Sequence, residues 1–132
     1  MAPRLPAAYF KTWFAAKTSN RPPGFGVVTA FNPMGRATSP VENRRRDLRL
    51  RRTLKALRLP HFRVTGGSRD GSHREPGWGV VAKSPTLIRA LAALFEQKAY
   101  FWIYNDRVLL GRAAGGKLAR TGSWSNRQAR WT

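Results

Sequence analysis

Two groups of polar side chains in this sequence have types and spacings that could do chemistry. The first surrounds Phe31-Asn32-Pro33-Met34-Gly35 and Ser39-Pro40-Val41-Glu42-Asn43, with Arg46 one turn further on. A strand end beside a helix start suits an anion or polar ligand, because unpaired backbone N–H groups and the helix dipole point there. The plainer role is structural, with Asn32 capping its own turn and Asn43 tying that turn to the helix. The second group is Asp70, Ser72, His73 and Glu75 in the glycine-rich loop 66–77. Here Glu75 could serve as a general base and His73 as a proton carrier near neutral pH. A lone histidine between Arg69 and Arg74 is, however, more often a surface residue or a phosphate donor. No nucleophile with an adjacent base is legible, so catalytic residues stay unassigned. Gly66-Gly67 without a following helix is not a P-loop. A ligand pocket of Asn32, Asn43, Arg46, His73 and Glu75 requires the two groups to meet in space.

A third pattern is cationic. Against 6 acidic residues stand 25 lysines and arginines, a net charge of +19 on 132 residues. Such a charge costs self-repulsion in the compact state and is most easily understood beside a polyanion. Nucleic acid is the favoured partner, because phosphates take up lysine and arginine with release of counterions. The residues placed on that interface are Arg44, Arg45, Arg49, Arg51, Arg52 and Lys55, then Arg69 and Arg74, then Lys117, Arg120, Trp124, Arg127, Arg130 and Trp131. Tryptophan among arginines suits stacking on unpaired bases. A tail that orders only on binding favours RNA, the ribosome or another ribonucleoprotein over sequence-specific DNA. An acidic protein is the alternative partner, and a small-molecule or nucleotide site, with enzymatic activity left open, is the alternative function. No stretch approaches the roughly 20 apolar residues of a membrane span. The absence of cysteine and the presence of only two histidines argue against disulfides and a zinc site, so no cofactor or metal is expected. With no secretory h-region legible, the location is read as cytoplasmic.

The elements that must position these residues follow from periodicity and turn signals. Residues 8–17 read as a short amphipathic helix, broken at Asn20-Arg21-Pro22-Pro23-Gly24, and 25–31 as a buried strand. Ser39 three before Glu42 is a capping box, with Pro40 at the first helical position, and the helix can run to about Leu59 before Pro60. Asn43, Leu50, Leu54 and Leu57 share one narrow face, and the cations spread over the opposite arc. Strands are expected at 61–65 and 78–82, and a helix with a Leu87, Ile88, Leu91, Leu94, Phe95 stripe after Ser84-Pro85. A hairpin of 99–104 and 108–110 follows, turning at Asn105-Asp106. If one sheet face is open, Tyr100, Trp102 and Tyr104 could form a stacking platform; otherwise they are core. The β-α-β-β-α-β order predicts an α+β, ferredoxin-like antiparallel sheet with two helices on one face, plus an extra N-terminal helix and a C-terminal hairpin strand. A mixed sheet of different strand order is the alternative. Residues 1–110 are expected to form one domain and 111–132 a basic flexible tail.

Ala8-Tyr9 with Thr12, Val28-Thr29-Ala30-Phe31-Asn32-Pro33 with Gly35, Ser39 and Glu42-Asn43, the loop ending His73-Arg74-Glu75-Pro76, and Phe95-Glu96-Gln97-Lys98-Ala99 resemble the bacterial domain-of-unknown-function family 3293 over about residues 8–110. The resemblance implies a small cytosolic bacterial α/β domain whose recurrent polar positions match Asn32, Asn43 and Glu75. It implies no activity. It also implies that the arginine-rich helix and residues 111–132 are additions of this chain, since members are not generally so basic.

Overall fold

The structure, a computed structural model, describes residues 4–16 and 22–131. The elements run α1 (Ala7–Phe10), β1 (Trp13–Ala16), β2 (Gly24–Val28), α2 (Pro40–Ala56), β3 (His61–Gly67), β4 (Arg74–Val81), α3 (Pro85–Leu94), β5 (Ala99–Tyr104), β6 (Arg107–Arg112) and β7 (Ala119–Ser123). The strands form one antiparallel sheet in the order β1-β3-β4-β2-β5-β6-β7. Its two ends approach each other. Ala129 N donates to Phe14 O at 2.7 Å, and a parallel bridge joins Phe14 to Gln128. The sheet is therefore a curled half-barrel.

This corrects the ferredoxin-like expectation. The β-α-β-β-α-β succession is present as β2-α2-β3-β4-α3-β5, but it lies inside a seven-stranded curled sheet with three helices. The physical reason is visible in β5, whose first five residues are all buried. Tyr100 and Trp102 face α2 and α3, while Phe101 and Ile103 face the other way, toward Phe14, Phe25, Val27 and Val64. A sheet apolar on both faces must be covered on both. The two helices cover the outer face, and the sheet covers the inner one by curling. Tyr100 and Trp102 are thus core, and the stacking platform is closed; Tyr104 alone of the three is exposed.

Two further expectations change. The N-terminal segment is a single turn of helix followed by an edge strand, because Trp13 to Ala16 pairs with β3; the predicted end of that helix at Lys17 and the break at Asn20-Arg21 lie outside the described residues. The segment read as a flexible tail contributes β7, which pairs with β6 across a bulge at Val108/Leu109. Trp124 is 4 % exposed and stacks on Phe14 with ring centroids 5.1 Å apart. Composition concealed this, since a Gly-, Ser- and Arg-rich stretch without acids resembles a solvated tail, yet one indole supplies enough apolar area to hold it down.

Other local signals held in part, since Leu57 and Leu94, read onto the core faces of the two helices, are exposed. Ser39 Oγ accepts from Glu42 N at 3.1 Å, and Asn105 and Asp106 turn the β5–β6 hairpin with positive φ. Gly26 lies directly beneath Ile88, so α3 sits against the β2 backbone where any side chain would intrude.

Candidate functional site

The inner face of the curl encloses a cavity of about 1240 Å³, walled by Phe14, Val27, Val64 and Phe101, with Tyr9 and Thr12 at its N-terminal side. The pairing register explains why the side chains leave space there. Phe14, Gly66 and Glu75 lie abreast on β1, β3 and β4, so their side-chain directions point to the same face. Phe14 fills its position, Glu75 brings a carboxylate, and Gly66 leaves a gap. A Cβ at Gly66 would meet only Thr12 Cγ2 at 3.4 Å and Trp13 O at 4.0 Å.

Glu75 is reached by a chain of hydrogen bonds with a fixed direction. Asn32 N donates to Asn43 Oδ1 at 2.9 Å, which leaves Asn43 Nδ2 to donate to Asn32 Oδ1 at 3.1 Å. That oxygen also accepts from Thr38 N at 3.2 Å. Asn32 Nδ2 is therefore turned outward and donates to Glu75 Oε1 at 3.0 Å. Backbone N–H groups, which cannot reverse, set the orientation of both amides. Glu75 Oε2 lies 3.8 Å from His73 Nε2 at the cavity edge.

The loop carrying Asn32 is conformationally costly. Asn32 and Met34 both have left-handed φ, 48° and 52°, a region that asparagine tolerates and methionine rarely adopts. The loop is held from behind. Met34 N donates to Glu96 O at 2.6 Å, and Gln97 Nε2 donates to Phe31 O at 3.0 Å. Arg46, 7 % exposed, donates to Ala30 O at 2.7 Å, to Phe95 O at 2.6 Å and to Glu96 Oε1 at 3.4 Å. Arg46 thus clamps the end of β2 to the end of α3. It supports the loop and does not line the cavity.

Burial raises the Glu75 carboxyl above its ordinary value near 4.5, and the Asn32 hydrogen bond and His73 oppose that shift without cancelling it. The Tyr9 phenol is also raised, first by burial and then by the Glu75 charge. Asp70 behaves oppositely. Ser72 N, Ser68 Oγ and Ser72 Oγ all donate to it, holding it down to about 2, so it is the ionised organiser of the β3–β4 turn.

A carboxyl that keeps its proton to higher pH in the folded than in the unfolded chain contributes stability that is full below the unfolded pKa. That contribution is lost as pH rises through the folded pKa. Glu75→Gln keeps an acceptor for Asn32 and cannot ionise. It is expected to raise the melting temperature by about 2–5 °C near pH ~8 and to leave it unchanged near pH ~3.5. Thermal melts at both pH values check this, and an equal loss at both would show that Glu75 is a structural anchor only.

Of the ligand-pocket residues read from sequence, Asn32, His73 and Glu75 line the cavity, Asn43 stands behind Asn32, and Arg46 is structural. Tyr9, Gly66 and Gln97 were missed as site residues, although Tyr9 and Gln97 lie in the motifs that carried the resemblance. The cationic set divides as well. Arg44, Arg45, Arg49, Arg51, Arg52 and Lys55 are exposed on α2, and among the described residues none forms a salt bridge. Arg69, Arg74, Arg130 and Trp131 meet around a second, smaller cleft. Lys117 and Arg120 are exposed at the β6–β7 end. Arg127 donates to Thr12 O at 3.4 Å and Thr121 O at 3.0 Å and borders the large cavity, and Trp124 is core, which removes it as a stacking residue. No helix is long and apolar enough to cross a membrane, and no group of three or more potential metal-ligating side chains occurs, both among the described residues.

A family model described as protein of unknown function, DUF3293, matches residues 28–100. That stretch contains Asn32, Asn43, Arg46, Glu75 and Gln97, and excludes β6, β7 and Trp124. No curated protein and no solved structure matches the chain.

Proposed function

The chain belongs to DUF3293, a family of proteins of unknown function, and we propose that its domain binds a small polar molecule inside the curled sheet, with Glu75 as the recognising group. The observation that carries this reading is the directed Asn43–Asn32–Glu75 chain, which fixes a half-buried carboxyl against a cavity of about 1240 Å³. A half-buried ionisable group held in place at the expense of stability, beside a strained loop, is the arrangement of a binding site. The apolar walls suit the body of a ligand, and Glu75 suits an N–H or O–H donor on its head. The ligand is therefore neutral or cationic at that end.

The test uses ligand-observed NMR with a set of polar metabolites bearing amine, amide or hydroxyl donors. Gly66→Val narrows the cavity where there is open space, and Glu75→Gln removes the charged acceptor. A genuine ligand is expected to lose about 10- to 100-fold in affinity with Glu75→Gln, the worth of a hydrogen bond to a charged group. Gly66→Val should abolish its binding while the fold is retained. Ligands that bind wild type and both variants alike would overturn the reading.

A second reading is nucleic-acid binding, with RNA or a ribonucleoprotein particle as partner. It is favoured by six exposed cations on α2 that form no salt bridge among the described residues, on a helix face that ordinarily carries acidic partners to offset such repulsion. These contacts would be phosphate contacts without sequence information.

A further inference from the structure

Arg69, Arg74 and Arg130 surround a cleft of about 460 Å³ between Trp13 of β1, the β3–β4 turn and residues 128–131. Two tryptophans flank it. The Arg69 guanidinium lies over the Trp13 ring at 5.3 Å, and that of Arg74 lies over the Trp131 ring at 5.0 Å. Trp131 is fixed in turn, because its Nε1 donates to Ser68 O at 3.1 Å and to Arg69 O at 3.2 Å. Among the described residues, the side chains of Arg69 and Arg130 make no hydrogen bond or ion pair. Asp70 is the one acid bordering the cleft, and its carboxylate is held by Ser68 and Ser72, so an excess of positive charge remains. A latch holding down the C-terminal segment would account for the Trp131 hydrogen bonds. It would not account for three arginines lining one cleft, with Arg74 over Trp131 and Arg69 over Trp13.

The register places the cleft relative to α2. Trp13, Gly67 and Arg74 lie abreast, as do Arg63 and Trp78, and Arg74 and Trp78 are an even number of residues apart on β4. All of these positions belong to the outer face, roughly 13 Å apart along the strand. Arg51 of α2 lies over Trp78 at 5.7 Å, and Arg63 beside it is neutralised by Asp47 at 2.8 Å. The cationic face of α2 and the Arg/Trp cleft therefore adjoin on one side of the molecule.

We propose that this cleft is a site for single-stranded nucleic acid, in which an unpaired base stacks against the Trp13/Trp131 pair and Arg69, Arg74 and Arg130 hold the flanking phosphates. Indole rings take a base face that a duplex keeps stacked, and guanidiniums take phosphate oxygens bidentately. The proposal deepens the second reading above, by assigning strand selectivity to the cleft and general phosphate affinity to α2. It does not rest on the small-molecule reading, although Trp13, Arg69 and Asp70 border both the cleft and the large cavity.

Fluorescence anisotropy with a labelled oligonucleotide of ~12 unpaired nucleotides tests it, beside the same sequence as a duplex and beside polyglutamate. Wild type is expected to favour the single strand, with affinity falling at least about tenfold from low to physiological salt. Arg69→Glu/Arg74→Glu/Arg130→Glu is expected to weaken single-strand binding at least about tenfold while changing duplex binding little. Arg44→Glu/Arg45→Glu/Arg52→Glu should weaken both together. The single change Arg130→Gln, at an exposed side chain that makes no hydrogen bond or ion pair among the described residues, repeats the first effect at smaller size, and thermal melts verify that each variant folds. Equal binding of single strand and duplex, or a cleft variant that keeps wild-type affinity, would overturn the cleft. Absence of any oligonucleotide binding, or polyglutamate bound as tightly, would overturn the nucleic-acid reading itself.

Discussion

Trp124→Ala is expected to lower the unfolding free energy by about 3–5 kcal/mol, the cost of emptying a large aromatic site in a packed core. That is a large part of the roughly 5–15 kcal/mol available to a domain. Trp124 stacks on Phe14 and meets Phe25 edge to face, both at 5.1 Å, so one side chain joins the region after β7 to β1 and β2. Its position is set by Asp106, whose backbone carbonyl accepts Trp124 N at 2.7 Å and whose carboxylate accepts Ser125 N at 3.1 Å and Ser125 Oγ at 2.6 Å. Removing residues 119–132 should be worse still, because it also exposes the β6 edge. Urea unfolding measures the first effect, and amide exchange across β1 reads the second. A Trp124→Ala protein with wild-type stability would mean that the segment is not part of the core.

Arg46→Met is expected to cost a comparable amount, about 3–5 kcal/mol. Ala30 O would lose its short charge-assisted donor and be left unpaired, which costs about 1–3 kcal/mol. Phe95 O would keep Gln97 Nε2 at 3.1 Å but lose a bond to a charged group worth about 1.5–3 kcal/mol. The Glu96 contact adds little to that sum, because its carboxylate is largely exposed and surface ion pairs contribute only about 0–1 kcal/mol. Arg46→Lys cannot serve two carbonyls from different directions and should fall between. Chemical denaturation ranks the three proteins. Hydrogen exchange at Met34 N, whose acceptor is Glu96 O, reports whether the Asn32 loop loosens with the clamp. Unchanged stability in Arg46→Met would show that the three contacts contribute nothing net.

Much of the middle of the sheet was legible. Ser39, Pro40 and Glu42 announced α2, the Leu87 to Phe95 stripe announced α3, and Asn105-Asp106 announced the hairpin, because each is a local signal read within one turn of chain. The half-barrel was not legible. Phe101 and Ile103 alternate with Tyr100 and Trp102, so β5 reads as apolar throughout. That pattern says both faces are buried without saying by what. The answer involves Phe14 and Trp124, residues too far apart along the chain for any periodicity to connect.

The candidate site divides along the same line. Asn32, Asn43, Arg46 and Glu75 could be picked out by type and motif, but their division into ligand-facing and structural groups depends on direction. Asn43 and Arg46 are three residues apart on one helix, both buried, and point to different partners.

By itself, then, the sequence determined the cationic character of α2 and the order of its central elements, because helical periodicity and capping are properties of neighbouring residues. Only the tertiary structure decided that Asn32 bonds Glu75 across 43 residues, that Arg69 and Arg74 meet Trp131, and that the supposed tail is a strand. Each of those contacts depends on register and on the curl of the sheet, and both are set by burying two apolar faces at once.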